Sequence, residues 1–208
     1  MINYKLKIIN TNIFVVVIKN RYDLGMLFCK VQEFYESPNV KFKNKKFSIW
    51  MYFDWYSKKK SGCFSYPKDY CGYNVPLEIA RKCYSKNEIE SPYDNIFNKL
   101  LKSIKVKSGY IIGVDNMSSS IFKHELCHAL YYTNKDYKNT MDSITKNLSK
   151  NTLNKFKGNL KKHGYCPAVT FDEIQAYMST EKDNGISKGI FNRKKIHSEY
   201  NRKLKDFL

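Results

Sequence analysis

The stretch Ile121–Leu130, which reads I-F-K-H-E-L-C-H-A-L, is the most informative part of this 208-residue chain. It places His124, Glu125 and His128 in the spacing H-E-x-x-H. Residues four apart share one face of a helix, so the two imidazoles can reach a single ion while Glu125 points to the edge of the same site. Two nitrogen ligands beside a carboxylate that can accept a proton from water are typical of a zinc site. The motif therefore predicts a metal site with Glu125 as the general base.

The residues around the motif predict the helix that it requires. An apolar stripe recurs at helical spacing and is expected opposite the metal face: Leu126, Ala129, Leu130 and Thr133. Several candidate N-caps precede it: Asp115, Asn116 and Ser118–Ser120. Residues 109–114 are β-branched and aromatic, which predicts a short strand before the helix.

A catalytic zinc site normally has three protein ligands, so a third must lie elsewhere. The metzincin pattern would need a glycine and a histidine where this chain has Tyr131 and Asn134, which excludes that class. His163 lies in a sequence typical of a loop. Asp136 lacks the glycine-threonine context expected of aspzincins.

Glu173 is the better candidate for the third ligand. It lies in residues 171–178, F-D-E-I-Q-A-Y-M, whose apolar positions predict a short amphipathic helix. A capping box with Thr170 as N-cap is the alternative explanation for this glutamate. Polar residues on a half-buried helix need partners, however, and a metal site would provide them for this acid-rich segment.

The H-E-x-x-H motif followed by this glutamate helix resembles the gluzincins, a class of zinc metallopeptidases, over residues 109–180. The resemblance implies that His124, His128 and Glu173 bind Zn²⁺ and that Glu125 is the catalytic base. It also implies a peptide or protein substrate, which pairs as an extended strand with residues 110–114 at the edge of a sheet.

Other roles in the predicted site are less specific. Tyr177 stands where the thermolysin-like branch has an aspartate that orients a ligand, so Asp172 is the candidate for that task. Candidates for stabilising the oxyanion are Tyr177, His163 and His197, although we interpret His197 as a solvent-exposed histidine of a basic tail.

Periodicity predicts an α+β fold: a small mixed or antiparallel sheet packed on the motif helix, with a mainly helical C-terminal part. We expect one catalytic domain over 1–208, with an α/β lobe at about 1–115 and a helical lobe at about 116–208. Strands are predicted at 4–9, 12–18, 46–55 and 110–114. Helices are predicted at 21–35, 76–84, 93–104 and 171–178, with two short ones within 139–162. Residues 57–73 are predicted as a loop that could form a hairpin, and 181–208 as a basic tail or last helix.

The net charge of +18 comes almost entirely from lysines spread along the chain. Diffuse lysine charge favours a solvated surface over a nucleic-acid site, which typically relies on arginine and clustered aromatics. The six cysteines include no C-x-x-C pair, and without a convincing signal peptide we expect reduced thiols and a cytoplasmic or intracellular location. No membrane partner is expected. A zincin-fold binding module without hydrolysis, or a nucleic-acid-associated protease, remain alternatives to the peptidase.

Overall fold

A computed structural model of the chain describes residues 2–84, 89–181 and 185–208. The chain divides into two compact units, Met1–Met117 and Ser118–Leu208. The first unit contains a four-stranded mixed sheet with helices, and the described part of the second unit is helical. The predicted α+β class and the helical C-terminal part are therefore confirmed.

The strands of the sheet are β1 (Lys5–Asn10), β2 (Ile13–Val17), β3 (Gly72–Pro76) and β4 (Tyr110–Val114), in the order β1-β2-β4-β3. The tight turn between β1 and β2 is held by Asn10, whose side-chain oxygen accepts the backbone N–H groups of Asn12 and Ile13. The strands predicted at 4–9, 12–18 and 110–114 are confirmed.

The position of β4 within the sheet differs from the prediction. β4 pairs along its whole length with β2 in parallel and with β3 antiparallel, so both of its edges are occupied. The expectation that residues 110–114 form an edge strand which pairs with substrate is therefore wrong. All five residues of β4 are buried, as expected of a strand that is covered on both faces.

The helices of the first unit are α1 (Arg21–Glu36), α2 (Ile49–Lys59), α3 (Tyr66–Asp69), α4 (Leu77–Cys83) and α5 (Pro92–Ser103). Helices predicted at 21–35, 76–84 and 93–104 are confirmed. The Asn20 side chain caps α1, and a capping box between Ser91 and Asp94 begins α5. In the core, Phe28 of α1 stacks on Tyr73 of β3 and meets Phe97 of α5 edge-on.

Helix α2 replaces the strand predicted at 46–55, and that prediction is wrong. Ile49, Tyr52 and Tyr56 lie at i, i+3 and i+7, and all three are buried on one helix face. The side chain of the N-cap, Ser48, does not cap the helix, but the Glu90 carboxylate accepts the backbone N–H of Ile49 at 2.6 Å. Residues 57–73 are also more regular than predicted, since they contain the end of α2, all of α3 and the start of β3.

The helices of the second unit are α6 (Ser120–Thr133), α7 (Lys135–Lys146), α8 (Lys150–Lys162), α9 (Thr170–Thr180) and α10 (Arg193–Lys205). Two helices were predicted within 139–162, and α7 and α8 account for them, with α7 beginning earlier. Within 181–208, α10 is the predicted last helix, while residues 182–184 lie outside the described part of the chain. Fully buried aromatic and aliphatic side chains form the core of this unit: Tyr137, Met141, Phe156, Ile174 and Tyr200.

The six cysteines are all free thiols in the structure, including Cys63 and Cys71, which flank the loop between α2 and β3. Among the described residues, no helix combines the length and the apolar character needed to cross a bilayer.

Candidate metal centre

Helix α6 presents the two motif histidines on one face. The Ser119 side chain caps the helix by accepting the backbone N–H of Phe122, and the helix continues unbroken to Thr133. His124 and His128 lie one turn apart, and Leu126, Ala129 and Leu130 of the opposite stripe are buried. The helix predicted for the motif, with both imidazoles on one side, is confirmed.

Helix α9 packs against α6 within the second unit and brings Glu173 to the histidines. The capping-box alternative for this glutamate is not realised. The N-cap of α9 is Val169, without a side-chain cap, and the Thr170 hydroxyl donates to the Pro167 carbonyl oxygen at 2.8 Å. Thr170 is the first residue of the helix and not its cap. Its hydroxyl bonds to the turn before α9 and not to the first N–H groups of the helix.

The donor atoms of His124, His128 and Glu173 all lie within 4.8 Å of one another. His128 Nε2 lies 3.1 Å from His124 Nε2 and 3.9 Å from Glu173 Oε2. Two nitrogens that bind one tetrahedral zinc ion at about 2.0–2.1 Å are separated by about 3.3 Å. The cluster therefore has the composition and spacing of a site that could hold a metal ion.

A chain of hydrogen bonds fixes the orientation of the His128 ring. Asp172 Oδ1 lies 2.8 Å from His128 Nδ1, so this nitrogen carries the proton and donates it to the carboxylate. The same carboxylate oxygen accepts from Gln175 Nε2 at 3.0 Å, and the Gln175 side-chain oxygen accepts from the Tyr137 hydroxyl at 2.7 Å. Gln175 and Tyr137 are fully buried. Nε2 of His128 is consequently directed towards His124 and Glu173.

The surroundings of His124 are different. Its Nδ1 atom is buried, and no described residue hydrogen-bonds to it. A carboxylate oxygen of Glu181 lies 3.8 Å from this nitrogen, which is an ion-pair distance but longer than a hydrogen bond. The Tyr177 ring packs edge-on against the imidazole, with 4.6 Å between ring centroids. The His124 ring is thus held by its packing on Tyr177 and by the contact of its Nε2 atom with His128.

The two imidazoles titrate in opposite directions. Burial and, secondly, the charge of the nearby His128 together lower the pKa of His124 to about 3. Burial would also lower the pKa of His128, but the carboxylates of Asp172 and Glu173 raise it well above its usual range. His128 therefore carries a second proton, on Nε2, in addition to the one on Nδ1. This Nε2–H group donates to the neutral His124 across the 3.1 Å contact.

Glu125 is buried on the same helix, with 8 % of its surface exposed. Its negative charge is among the causes that raise the pKa of His128, Tyr165 and Tyr177, so its carboxylate lies near these groups. That position beside the cluster is the one the motif predicts for a base.

The Tyr177 hydroxyl is 2.9 Å from the hydroxyl of Tyr165. Burial is the main cause that raises the pKa of both phenols, which stay protonated at neutral pH. Tyr177 thus has two contacts, its ring on His124 and its hydroxyl on Tyr165. Its predicted role as an oxyanion donor stays a prediction.

The rival ligands lie outside this cluster. Asp136 is exposed in the first turn of α7. His163 is the exposed C-cap of α8, and its Nδ1 contacts the Asn159 carbonyl oxygen at 2.8 Å. The interpretation of His197 as solvent-exposed is wrong: it is buried in α10, and its Nδ1 lies 2.7 Å from the Met178 carbonyl oxygen.

Glu181 and Tyr165 contribute to the surroundings of the cluster but were not predicted. A sequence signal existed for Glu181, because Glu173, Tyr177 and Glu181 follow one another at intervals of four and so share a helical face. Tyr165 lies in the connection between α8 and α9, where no periodicity applies.

No protein-family model, no curated protein and no solved structure matches this chain. The family resemblance is therefore carried by the motif residues alone, and the function must be argued from the chemistry of the cluster.

Proposed function

We propose that the chain is a zinc-dependent peptidase of the gluzincin type, with His124, His128 and Glu173 as the metal ligands. The observation that supports this is the convergence of the three donor groups within 4.8 Å on the helix face next to Glu125. Three ligands leave one position of a tetrahedral ion open, which is characteristic of catalytic zinc sites, whereas structural sites fill all four positions.

A zinc ion at this site would polarise a water molecule and the carbonyl group of the scissile peptide bond. Glu125 accepts the proton that the water loses as it attacks, and delivers it to the nitrogen of the leaving amine. Asp172 accepts a hydrogen bond from His128 Nδ1–H, so once Nε2 has lost its proton its lone pair would be available to a metal ion. The Tyr177 ring shields the imidazole of His124 and keeps it from rotating.

The buried Glu125 favours hydrolysis over a site that only binds metal. A carboxylate next to the three ligand groups is placed to accept a proton from a water molecule bound at that site. A purely structural or binding module has no need of a base at this position, since the other three residues already supply the ligands.

The test is the substitution Glu125→Gln, which keeps the shape of the side chain and removes its ability to accept a proton. We expect peptide cleavage to fall by roughly 10²–10⁴-fold while zinc content is unchanged. Glu199→Gln, an exposed residue of α10, is the matched control and should leave both unchanged.

Two results would contradict the peptidase. One is wild-type cleavage by the Glu125→Gln variant. The other is a zinc-loaded wild-type protein that cleaves no member of a diverse peptide library, which would favour the binding module.

A further inference from the structure

Helix α2 carries large apolar residues on the face that points away from the core. Its inner face is buried, but Trp50 and Met51 are 60 % and 63 % exposed. The outer face of a surface helix is normally polar, because exposed apolar groups gain nothing from folding. The two residues are adjacent in the chain, at the first turn of the helix.

The Trp50 ring is the first of three aromatic rings that contact one another in a row. Its ring meets the Phe53 ring edge-on, with 5.5 Å between the centroids. The ring centroids of Phe53 and Phe64 are 4.2 Å apart. Phe53 and Phe64 are half-buried. Trp50, Phe53 and Phe64 thus form a connected row of rings, and the exposed Met51 follows Trp50 in the chain. We call these four residues the α2 patch; contiguous exposed apolar surfaces mark interaction sites.

A lysine-rich segment leads into the first turn of α2, which carries Trp50 and Met51. Residues 41–46 precede α2 and expose four lysines: Lys41, Lys43, Lys45 and Lys46. Phe42 anchors the segment on the buried side of α2. Its ring centroid lies 5.1 Å from that of Tyr52 and 4.9 Å from that of Phe47. The acid on the outer face of α2, Asp54, is paired with Lys58 at 2.7 Å. The chain that enters the patch is therefore positively charged.

We propose that the α2 patch docks the protein onto an anionic lipid surface. Tryptophan is favoured at the boundary between headgroups and acyl chains, where its ring is partly buried and its N–H stays in a polar layer. Met51 would enter the apolar layer beside it, while the lysines of 41–46 face the lipid phosphates. This function is separate from the proposed peptidase and departs from the sequence-based expectation of no membrane partner.

The chemistry of the patch fits lipid better than nucleic acid. Trp50 and Phe53 stand at 87° to each other, so they do not offer parallel faces for successive bases, and Met51 has no aromatic face at all. The two arginines of the first unit are engaged elsewhere: Arg21 donates to the Tyr70 carbonyl oxygen, and Arg81 to that of Lys107. Lysine alone recognises a diffuse anionic surface without a geometric requirement.

The experiment measures partitioning of the full chain onto phosphatidylcholine vesicles with and without phosphatidylserine. We expect binding to the mixed vesicles only. Trp50→Ala with Met51→Ala should weaken it by roughly tenfold or more. Lys43→Ala with Lys45→Ala should weaken it by about fivefold per lysine. The controls are Ile8→Ala, an exposed apolar residue of β1, and Lys99→Ala with Lys102→Ala on α5, and all should bind like wild type.

A second readout does not depend on altering the patch. The chain has two tryptophans, so Trp55→Phe leaves Trp50 as the sole tryptophan, and excitation at the red edge of its absorption band avoids the 17 tyrosines. Its emission should shift to the blue with mixed vesicles and be quenched by brominated acyl chains. The proposal is overturned if mixed vesicles do not bind, if the patch variant binds as well as Ile8→Ala, or if single-stranded DNA binds the patch while vesicles leave Trp50 emission unchanged.

Discussion

Asp172 Oδ1 lies 2.8 Å from His128 Nδ1, at the opposite end of the imidazole ring from the contact with His124. This contact assigns the Nδ1 proton and leaves Nε2 to face the cluster. A carboxylate that orients a ligand histidine also increases its basicity. The geometry of the candidate site therefore depends on a residue that would not itself touch the ion.

Substitution of this carboxylate should weaken metal binding without abolishing it. We expect Asp172→Asn to lower zinc affinity by roughly 10–100-fold, because the amide supports His128 less well. Glu181→Gln should have a smaller effect, since Glu181 is 3.8 Å from His124 Nδ1. Competition with a chromophoric chelator measures both, and Asp206→Asn, an exposed residue at the end of α10, is the control. Equal affinity for Asp172→Asn and Asp206→Asn would show that the contact has no such role.

Zinc binding at pH 6 should release about one proton per ion. The pKa of His128 is raised well above its usual range, so the metal-free protein holds a proton there that the ion must displace. The pKa of His124 is lowered to about 3, so that ring is already neutral and releases none. Calorimetric titration in two buffers of different ionisation enthalpy gives the number directly. Release of no proton, or of two, would contradict the opposite shifts of the two rings.

Two glycine substitutions, one in each unit, test the packing within that unit. A Cβ at Gly113 of β4 would lie 2.4 Å from Phe28 Cε2, and that ring is held by Tyr73 and Phe97. Gly113→Ala should therefore lower the free energy of unfolding by about 1–3 kcal/mol.

Gly158, inside α8, is the matched position, since a Cβ there meets nothing within 4 Å. Gly158→Ala should raise the free energy of unfolding by about 0.5–1 kcal/mol, because alanine restricts the unfolded chain and favours helix. Urea denaturation distinguishes the two, and an unchanged stability of Gly113→Ala would mean that Phe28 is free to move.

The helices of the candidate site could be predicted because their determinants are local. The i, i+4 spacing of His124 and His128 needs only a helix, and the apolar positions of residues 171–178 specify the helix that carries Glu173. Asp172 was predicted as the acid that orients a ligand, but its contact with His128 joins residues 44 positions apart in the chain, a pairing that no local pattern specifies. That contact follows from how α6 packs on α9.

Helix α2 was mistaken for a strand for two physical reasons. Trp50 and Met51 make its outer face apolar, so the sequence lacks the polar face that would have indicated a helix. The group that binds its first N–H is Glu90, which is distant in sequence. The order of strands in the sheet also depends on contacts between residues distant in sequence. For β4, however, the unbroken apolar run is typical of an interior strand and not of an edge strand.

The most direct measurement is the zinc content of Glu173→Ala after metal loading and dialysis, compared with wild type, Asp136→Ala and His163→Ala. We predict about one zinc ion per chain in wild type and in the last two variants, and a loss of zinc in Glu173→Ala, because only this residue shares the cluster with both motif histidines. Full zinc retention by a folded Glu173→Ala variant, or loss of zinc from either of the other two, would contradict the ligand set.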